Sequence, residues 1–193
     1  QGVVLTGNPI PEEIRDARVK LQPSTKRPVL LILGGSQGSR TIDDAVAPLL
    51  PNLVTRFDVY HQTRRDRPLM TSPFYHFAPW IAPPELAQLL AETSLVIARS
   101  GANTVTYLAF LGIPAILVPL PIAGLDEQQN NAQLLTRIGL AVVIRQESLT
   151  PEALSGAIDQ LASTDHREAG RKARALVIPD AADRFAELVM KLV

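Results

Sequence analysis

Short apolar runs recur along the chain at intervals that fit neither a helical bundle nor an antiparallel sandwich. Residues 28–34 read P-V-L-L-I-L-G, without a polar position between the proline and the glycine. This is the pattern of a strand covered on both faces in a parallel sheet. Runs of the same kind occupy 57–62, 75–80, 95–100, 115–120 and 141–145. Between them, residues 41–53, 84–92, 103–111, 127–138 and 151–161 place apolar side chains at i, i+3 and i+4, as helices packed on a sheet do. The alternation predicts an α/β fold, a Rossmann-like three-layer domain with a roughly six-stranded parallel sheet.

Start signals support several of these helices. Pro84 and Pro151 fall where a first turn tolerates proline, Thr150 can cap the helix that follows it, and Glu152 complements the positive end of its dipole. After Asp165 the pattern is helical only, over 166–177 and 181–192, with Pro179 between. The expected organisation is an entry segment at 1–27, broken by Pro9, Pro11 and Pro23, a ligand-binding domain at 28–165, and helices bracing it at 166–193.

Composition narrows the classes of function. With 46% hydrophobic and 20% charged residues, 193 residues can bury one core. Nineteen Lys and Arg against nineteen Asp and Glu give a formal charge of +0, so no whole-chain field gathers nucleic acid or anionic lipid. Any anionic ligand must be held locally. The absence of Cys excludes disulfides, thiolate metal sites and a Cys nucleophile, and fits a cytoplasmic setting. Aromatic residues at 5%, with one Trp, are few for stacking on single-stranded nucleic acid. The longest apolar run, 113–122, contains Pro114, Pro119 and Pro121 and falls short of the roughly 20 residues of a membrane helix. The N-terminus has neither an initiator Met nor the charge pattern of a signal peptide, which suggests a fragment or processed chain.

In parallel sheets, ligands sit beyond the carboxyl ends of the strands. After the first run comes Gly34 and then Gly35, Ser36, Gln37, Gly38, Ser39 and Arg40. Glycines here let backbone N–H groups approach an oxyanion, although a tight βα turn would also use them. The loop has neither the Gly-Lys-Ser/Thr ending of a P-loop nor the G-x-G-x-x-G pattern. A second loop, Arg99, Ser100, Gly101, Ala102, Asn103 and Thr104, again joins a strand to a helix. Two such turns on one sheet edge suit a diphosphate. Taken singly, Arg99 also reads as a surface ion pair, and Ser100 and Thr104 as helix caps. A third loop, 119–132, carries Asp126, Gln128, Gln129 and Asn131, hydrogen-bonding groups suited to a sugar, with Asp126 alternatively an N-cap.

The remaining polar residues read as structural. His61, His76 and His166 lack metal spacing and read as packed or surface imidazoles, so neither a metal nor a cofactor is expected. The stretch Arg64-Arg65-Asp66-Arg67 could touch phosphate but reads more economically as a mobile surface loop.

Taken together and in order, G-N-P at Gly7, G-G-S-Q-G-S at Gly34, R-S-G-A-N-T-V at Arg99, G-I-P-A-I-L-V-P at Gly112 and D-E-Q-Q-N-N-A at Asp126 resemble the C-terminal half of the MurG-type transferases of glycosyltransferase family 28. The resemblance implies one half of a two-domain GT-B enzyme that moves N-acetylglucosamine from its UDP donor to a lipid-linked peptidoglycan precursor. It implies a separate N-terminal acceptor domain, or a partner chain, to which residues 1–27 would lead. No nucleic-acid partner is implied. The complete protein would be cytoplasmic, peripheral on the membrane face.

By the same resemblance, Ser36 and Gln37, with the flanking Gly35 and Gly38, lie against the donor. The Ser100 to Thr104 turn meets the diphosphate, Ile81 after Trp80 presents backbone to the uracil, Gln128 and Gln129 hold the sugar, and Asn131 belongs to the same motif. No catalytic residue is expected in this half. Two positions depart from the pattern: Pro11 stands where members carry Arg, and Tyr107 where they carry a Glu that pairs with the ribose. A partner-dependent or non-catalytic nucleotide-sugar-binding domain is therefore an alternative, as is a related transferase with another donor or lipid acceptor.

Overall fold

The computed structural model describes residues 3–19, 27–35, 37–121 and 126–191. Its six strands are β1 (Val29–Leu33), β2 (Asp58–Gln62), β3 (Tyr75–Ala78), β4 (Thr93–Ala98), β5 (Ala115–Leu117) and β6 (Ala141–Val143). They form one sheet in the order β3-β2-β1-β4-β5-β6, and every pairing is parallel. The chain starts in the middle, winds outward to β3, then returns to the other side of β1. The order therefore reverses between β1 and β4, and the crevice beyond their carboxyl ends is the topological switch point.

All five positions of β1 are buried, as the unbroken apolar run requires. Side chains alternate between two cores. Leu31 and Leu33 join Val96, Ala98 and Leu117 beneath α1 (Glu12–Val19), α4 (Pro83–Glu92), α5 (Ala102–Leu111), α6 (Glu127–Thr136) and α8 (Arg167–Ala175). Leu30 and Ile32 join Val59, Leu95, Ile97 and Ile116 beneath α2 (Arg40–Val46), α3 (Leu50–Arg56) and α7 (Pro151–Ala162). Period-two alternation thus divides one hydrophobic strand between two helical layers.

Several boundaries differ from the pattern's prediction. The segment 41–53 is not one helix, because Pro48 and Pro51 interrupt it. A 3₁₀ turn over Ala47–Leu49 separates α2 from α3. The strands end earlier than the apolar runs, β5 at Leu117 and β3 at Ala78, because Pro119 and Pro79 cannot donate to a ladder. Within the predicted entry segment, α1 packs Ile14 and Ala17 into the core along with the preceding Ile10. Pro11 opens this helix: its carbonyl accepts from Ile14 N at 3.1 Å and Arg15 N at 3.2 Å, and at a helix start the missing N–H is no loss.

At the other end, α8 lies on α5, and Arg174 Nη1 donates to Leu111 O at 3.2 Å. A Cβ on Gly112, which has φ +76°, would lie 3.1 Å from Gly170 Cα, so this crossing requires glycine. The last described helix, α9 (Ala181–Met190), buries Ala181 and leaves Phe185, Val189 and Met190 exposed. Among the described residues no helix is long and apolar enough to cross a membrane.

Candidate functional site

The first loop is a compact turn after β1. Gly38 N donates to Gly35 O at 3.0 Å, both glycines have positive φ (+80° and +71°), and Ser39 Oγ caps α2 by accepting from Ile42 N at 3.3 Å. Its glycines serve different needs. A Cβ on Gly34 would meet Ser39 N at 2.7 Å, and one on Gly38 would meet Arg64 Cγ at 2.6 Å, whereas Gly35 has only Arg99 Cγ at 3.9 Å. Gly34 and Gly38 are thus demanded by the protein's own packing, and Gly35 by its dihedral alone. Gln37 follows on the rim, and Ser36 lies outside the described residues.

The second loop is built differently. Gly101 caps α5 with φ −63°, a value any residue adopts, and no described atom lies within 4 Å of where its Cβ would be. Neither backbone nor neighbours require glycine there, so open space lies directly before the helix. No side chain caps this end, and the N–H groups of Ala102, Asn103 and Thr104 lie in the first turn, where an α-helix offers them no partner. Ser100 beneath them is fully buried, and its hydroxyl has no hydrogen-bond partner among the described residues. An uncapped helix start with an adjacent unpaired hydroxyl is an anion-binding arrangement.

Three side chains fix this turn. Asn131 Nδ2, on α6, donates to Ser100 O at 3.2 Å. Asn8 Nδ2 donates to Asn103 Oδ1 and to Thr106 Oγ1, both at 3.0 Å, which ties the G-N-P segment to α5. Arg99 is neither a surface ion pair nor turned to solvent: its Nη2 donates to Ser39 Oγ at 2.8 Å and Gln146 Oε1 at 2.7 Å, and its Nη1 to Val118 O at 3.2 Å. Burial lowers its pKa from the usual value. Arg99 therefore clamps the loops after β1, β5 and β6 together, and both terminal nitrogens already donate to protein acceptors.

The third loop contributes the half-buried Gln128 and Gln129, with Asp126 exposed at the start of α6, while residues 122–125 lie outside the described set. Gln128 Oε1 accepts from Leu120 N at 3.0 Å, so its amide NH₂ faces away from that contact. Asp126 caps without a side-chain bond. Trp80 is 58% exposed while Ile81 beside it is buried in the core ahead of α4. Tyr107, one turn beyond Asn103, is half-buried, and burial together with the charge of Glu13 raises its phenol's pKa. The groups from the first and second loops thus meet at the switch point, joined through Arg99 and Ser39. Asn131 connects them to α6. The placement of Trp80 and Ile81 follows from β3 and α4, and among the described residues their side chains carry no polar contact.

A buried polar cluster beside the first loop escaped the sequence reading. Asp43 on α2 binds His61 Nε2 at 3.0 Å, accepts from Thr63 Oγ1 at 2.5 Å and from Arg65 Nε at 3.2 Å, and His61 Nδ1 lies 3.1 Å from Tyr75 Oη. Burial alone would raise the Asp43 pKa, but the hydrogen bonds from His61 and Thr63, with the nearby charges, hold it below the ordinary value. Arg65 also bonds Asp44, so the stretch after β2 is pinned to α2 and is not the free surface loop expected. Spacing could not reveal this, since the partners come from α2, β2 and β3. Among the described residues no cluster suits a metal ion.

The glycosyltransferase family 28 C-terminal domain matches residues 29–189. The chain is 36% identical, over 99% of its length, to an Exiguobacterium UDP-N-acetylglucosamine N-acetylmuramyl-(pentapeptide) pyrophosphoryl-undecaprenol N-acetylglucosamine transferase, of which it covers 56%. It is 39% identical over 96% of its length to the enzyme of that name from Phenylobacterium zucineum, covering 55% of it. The crystal structure of Acinetobacter baumannii MurG superposes with a TM-score of 0.74 at 30% identity, over 92% of this chain and 53% of that one. The calicheamicin glycosyltransferase CalG4, at 21% identity and TM-score 0.64, over 84% of this chain and 40% of that one, shares the fold. The chain spans about half the length of the curated relatives it matches, and it belongs to the glycosyltransferase family 28 C-terminal domain family.

Proposed function

We propose that this chain is the donor-binding half of a transferase that moves N-acetylglucosamine from UDP-N-acetylglucosamine to a lipid-linked peptidoglycan precursor. The observation that carries the reading is the open, uncapped start of α5 behind Gly101, with the unpartnered Ser100 hydroxyl beneath it. The donor's diphosphate lies against the N–H groups of Ala102, Asn103 and Thr104, with the first loop's Gly35 to Gly38 on its other side. Gln128 and Gln129 reach the sugar, and Ile81, after Trp80, presents backbone to the uracil. As the glycosidic bond breaks, negative charge grows on the leaving diphosphate. Amides already fixed in direction stabilise it without reorganising. The acceptor hydroxyl attacks the anomeric carbon as UDP leaves, and its proton goes to a base in the half of the relatives that this chain does not cover. The complete protein acts at the cytoplasmic face of the membrane, where the lipid-linked acceptor resides.

Isothermal calorimetry with UDP, UDP-N-acetylglucosamine and GDP tests the donor. Binding of both uridine species with a clear preference over GDP is expected. Silence toward all of them overturns the reading in favour of a domain that has kept the fold without the ligand. Tyr107 gives that alternative its one structural foothold, since a half-buried phenol near Glu13 offers a ribose diol a weaker acceptor than a free carboxylate does.

A further inference from the structure

Because β2 and β4 flank β1 on opposite sides, the rim has a second basin on the far side of the Gly-rich turn from α5. It is a cavity of about 880 Å³ between the turn leading into α2 and residues 64–69. Its charged lining is Arg40, Arg64, Arg65 and Arg67 against Asp43, Asp44 and Asp66. The basin is firmly built. Fully buried His61 and Thr63 hold Asp43, Asp43 and Asp44 hold Arg65, and the Arg64 stem lies across Gly38, where a Cβ would come within 2.6 Å of its Cγ. Two of the three lining carboxylates are therefore already engaged by Arg65. Arg40 and Arg67, both exposed, line the basin, and among the described residues Asp66 is the one lining carboxylate without a partner.

We propose that this basin is a second anion site, taking the pyrophosphate group of a ligand other than the nucleotide sugar. Planar guanidinium forks on two walls suit bidentate contact with phosphoryl oxygens, and a cation excess inside a concave, protein-walled site is screened less than on an open surface. The volume exceeds what a bare phosphate fills, so a pyrophosphate with part of its substituent fits. The basin shares Gln37 and Gly38 with the turn the donor reading uses, but it lies on that turn's other face, and none of its lining residues comes from α5 or α6.

Titrating the chain with inorganic pyrophosphate by calorimetry, with and without saturating UDP, tests the site. Binding is expected to persist under UDP. Arg67→Ala should weaken the UDP-insensitive binding at least about tenfold, Arg67→Lys less so, and Asp66→Asn should tighten it about threefold. Both positions are exposed, and circular dichroism of each variant checks that the fold is unchanged. Persistence of an Arg67-sensitive isotherm supports the site even if UDP does not bind at all. Loss of all pyrophosphate binding under UDP, no binding to begin with, or indifference to both substitutions overturns it. A sedimentation arm with vesicles carrying a polyprenyl diphosphate assigns the source: Arg67-dependent retention supports a lipid headgroup, and binding of free pyrophosphate without retention supports a soluble ligand.

Discussion

Glycine at Gly34, Gly38 and Gly101 looks alike in the sequence yet answers to different constraints. At Gly34 a Cβ would strike backbone 2.7 Å away, which cannot yield without moving the turn. At Gly101 nothing described lies within 4 Å and φ is ordinary. Gly34→Ala should therefore cost several kcal/mol of stability, read as a shifted urea midpoint at constant slope. Gly101→Ala should leave the midpoint nearly in place and weaken UDP binding at least about tenfold, because its methyl enters the space before the α5 amides. Equal loss of stability in both variants would sink the assignment of that space to a ligand. Asp43 yields a pH prediction. Its folded pKa lies below the unfolded one, so the stability it contributes is fully present above the ordinary aspartate value, about 3.9, and is lost as pH falls through the lower, folded value. Thermal melting of the native chain should exceed that of Asp43→Asn at neutral pH, with the gap narrowing only below about pH 4. A gap independent of pH would mean the network gains nothing from the ionised carboxylate. The loops carrying these residues were legible as βα turns from their position after apolar runs. The roles within them were not, because Arg99 and Asp43 bind groups 19 to 60 and 18 to 22 residues away.

At the scale of elements, long-range packing accounts for what the periodicity missed. The six strands and the helices α4 to α7 follow from apolar spacing, and Thr150 caps α7 as its position suggested, accepting from Ala153 N at 3.2 Å. The break between α2 and α3 follows from proline placement, which the apolar period alone conceals. Helix α1 was hidden because it is eight residues long, set among prolines, and too short to be stable in isolation. Tertiary contact makes it helical: Ile14 is 3% exposed, and Arg18 lies over the Phe110 ring at 4.9 Å. Ile14→Ala should cost about 2–5 kcal/mol in urea unfolding, the range for deleting a buried aliphatic side chain. A cost near zero would show that residues 10–19 are dispensable to this core. The same docking keeps Asn8 against Asn103 and Thr106, so α1 helps position the start of α5 from outside the sheet.

For the whole molecule, the distribution of titratable groups argues that donor binding and transfer are separable. His61 is buried with both ring nitrogens engaged, His76 pairs with Asp58 at 2.7 Å, and His166 lies by a cavity at the amino ends of the strands, its Nε2 on Leu161 O at 2.9 Å. No described histidine faces the rim between β1 and β4. Of the described carboxylates near that edge, Asp43 is engaged by His61, Thr63 and Arg65 and Asp44 by Arg65, while Asp66 lies in the arginine-lined basin on the far side of the turn from α5 and Asp126 heads α6 in solvent. Beside the α5 start the described residues thus offer fixed donors but no histidine or buried carboxylate poised as a proton acceptor for an attacking hydroxyl, and the two demands differ in geometry and sign. This chain alone should bind UDP-N-acetylglucosamine and transfer no sugar to a polyprenyl-linked acceptor within the time a complete relative takes for many turnovers. Adding the separately expressed half that it does not cover, taken from one of its relatives, should restore measurable transfer if the two halves associate. A transfer assay with radiolabelled donor decides between the cases. Turnover by this chain without the other half would place a base among its own residues and overturn the division of labour argued for the two halves.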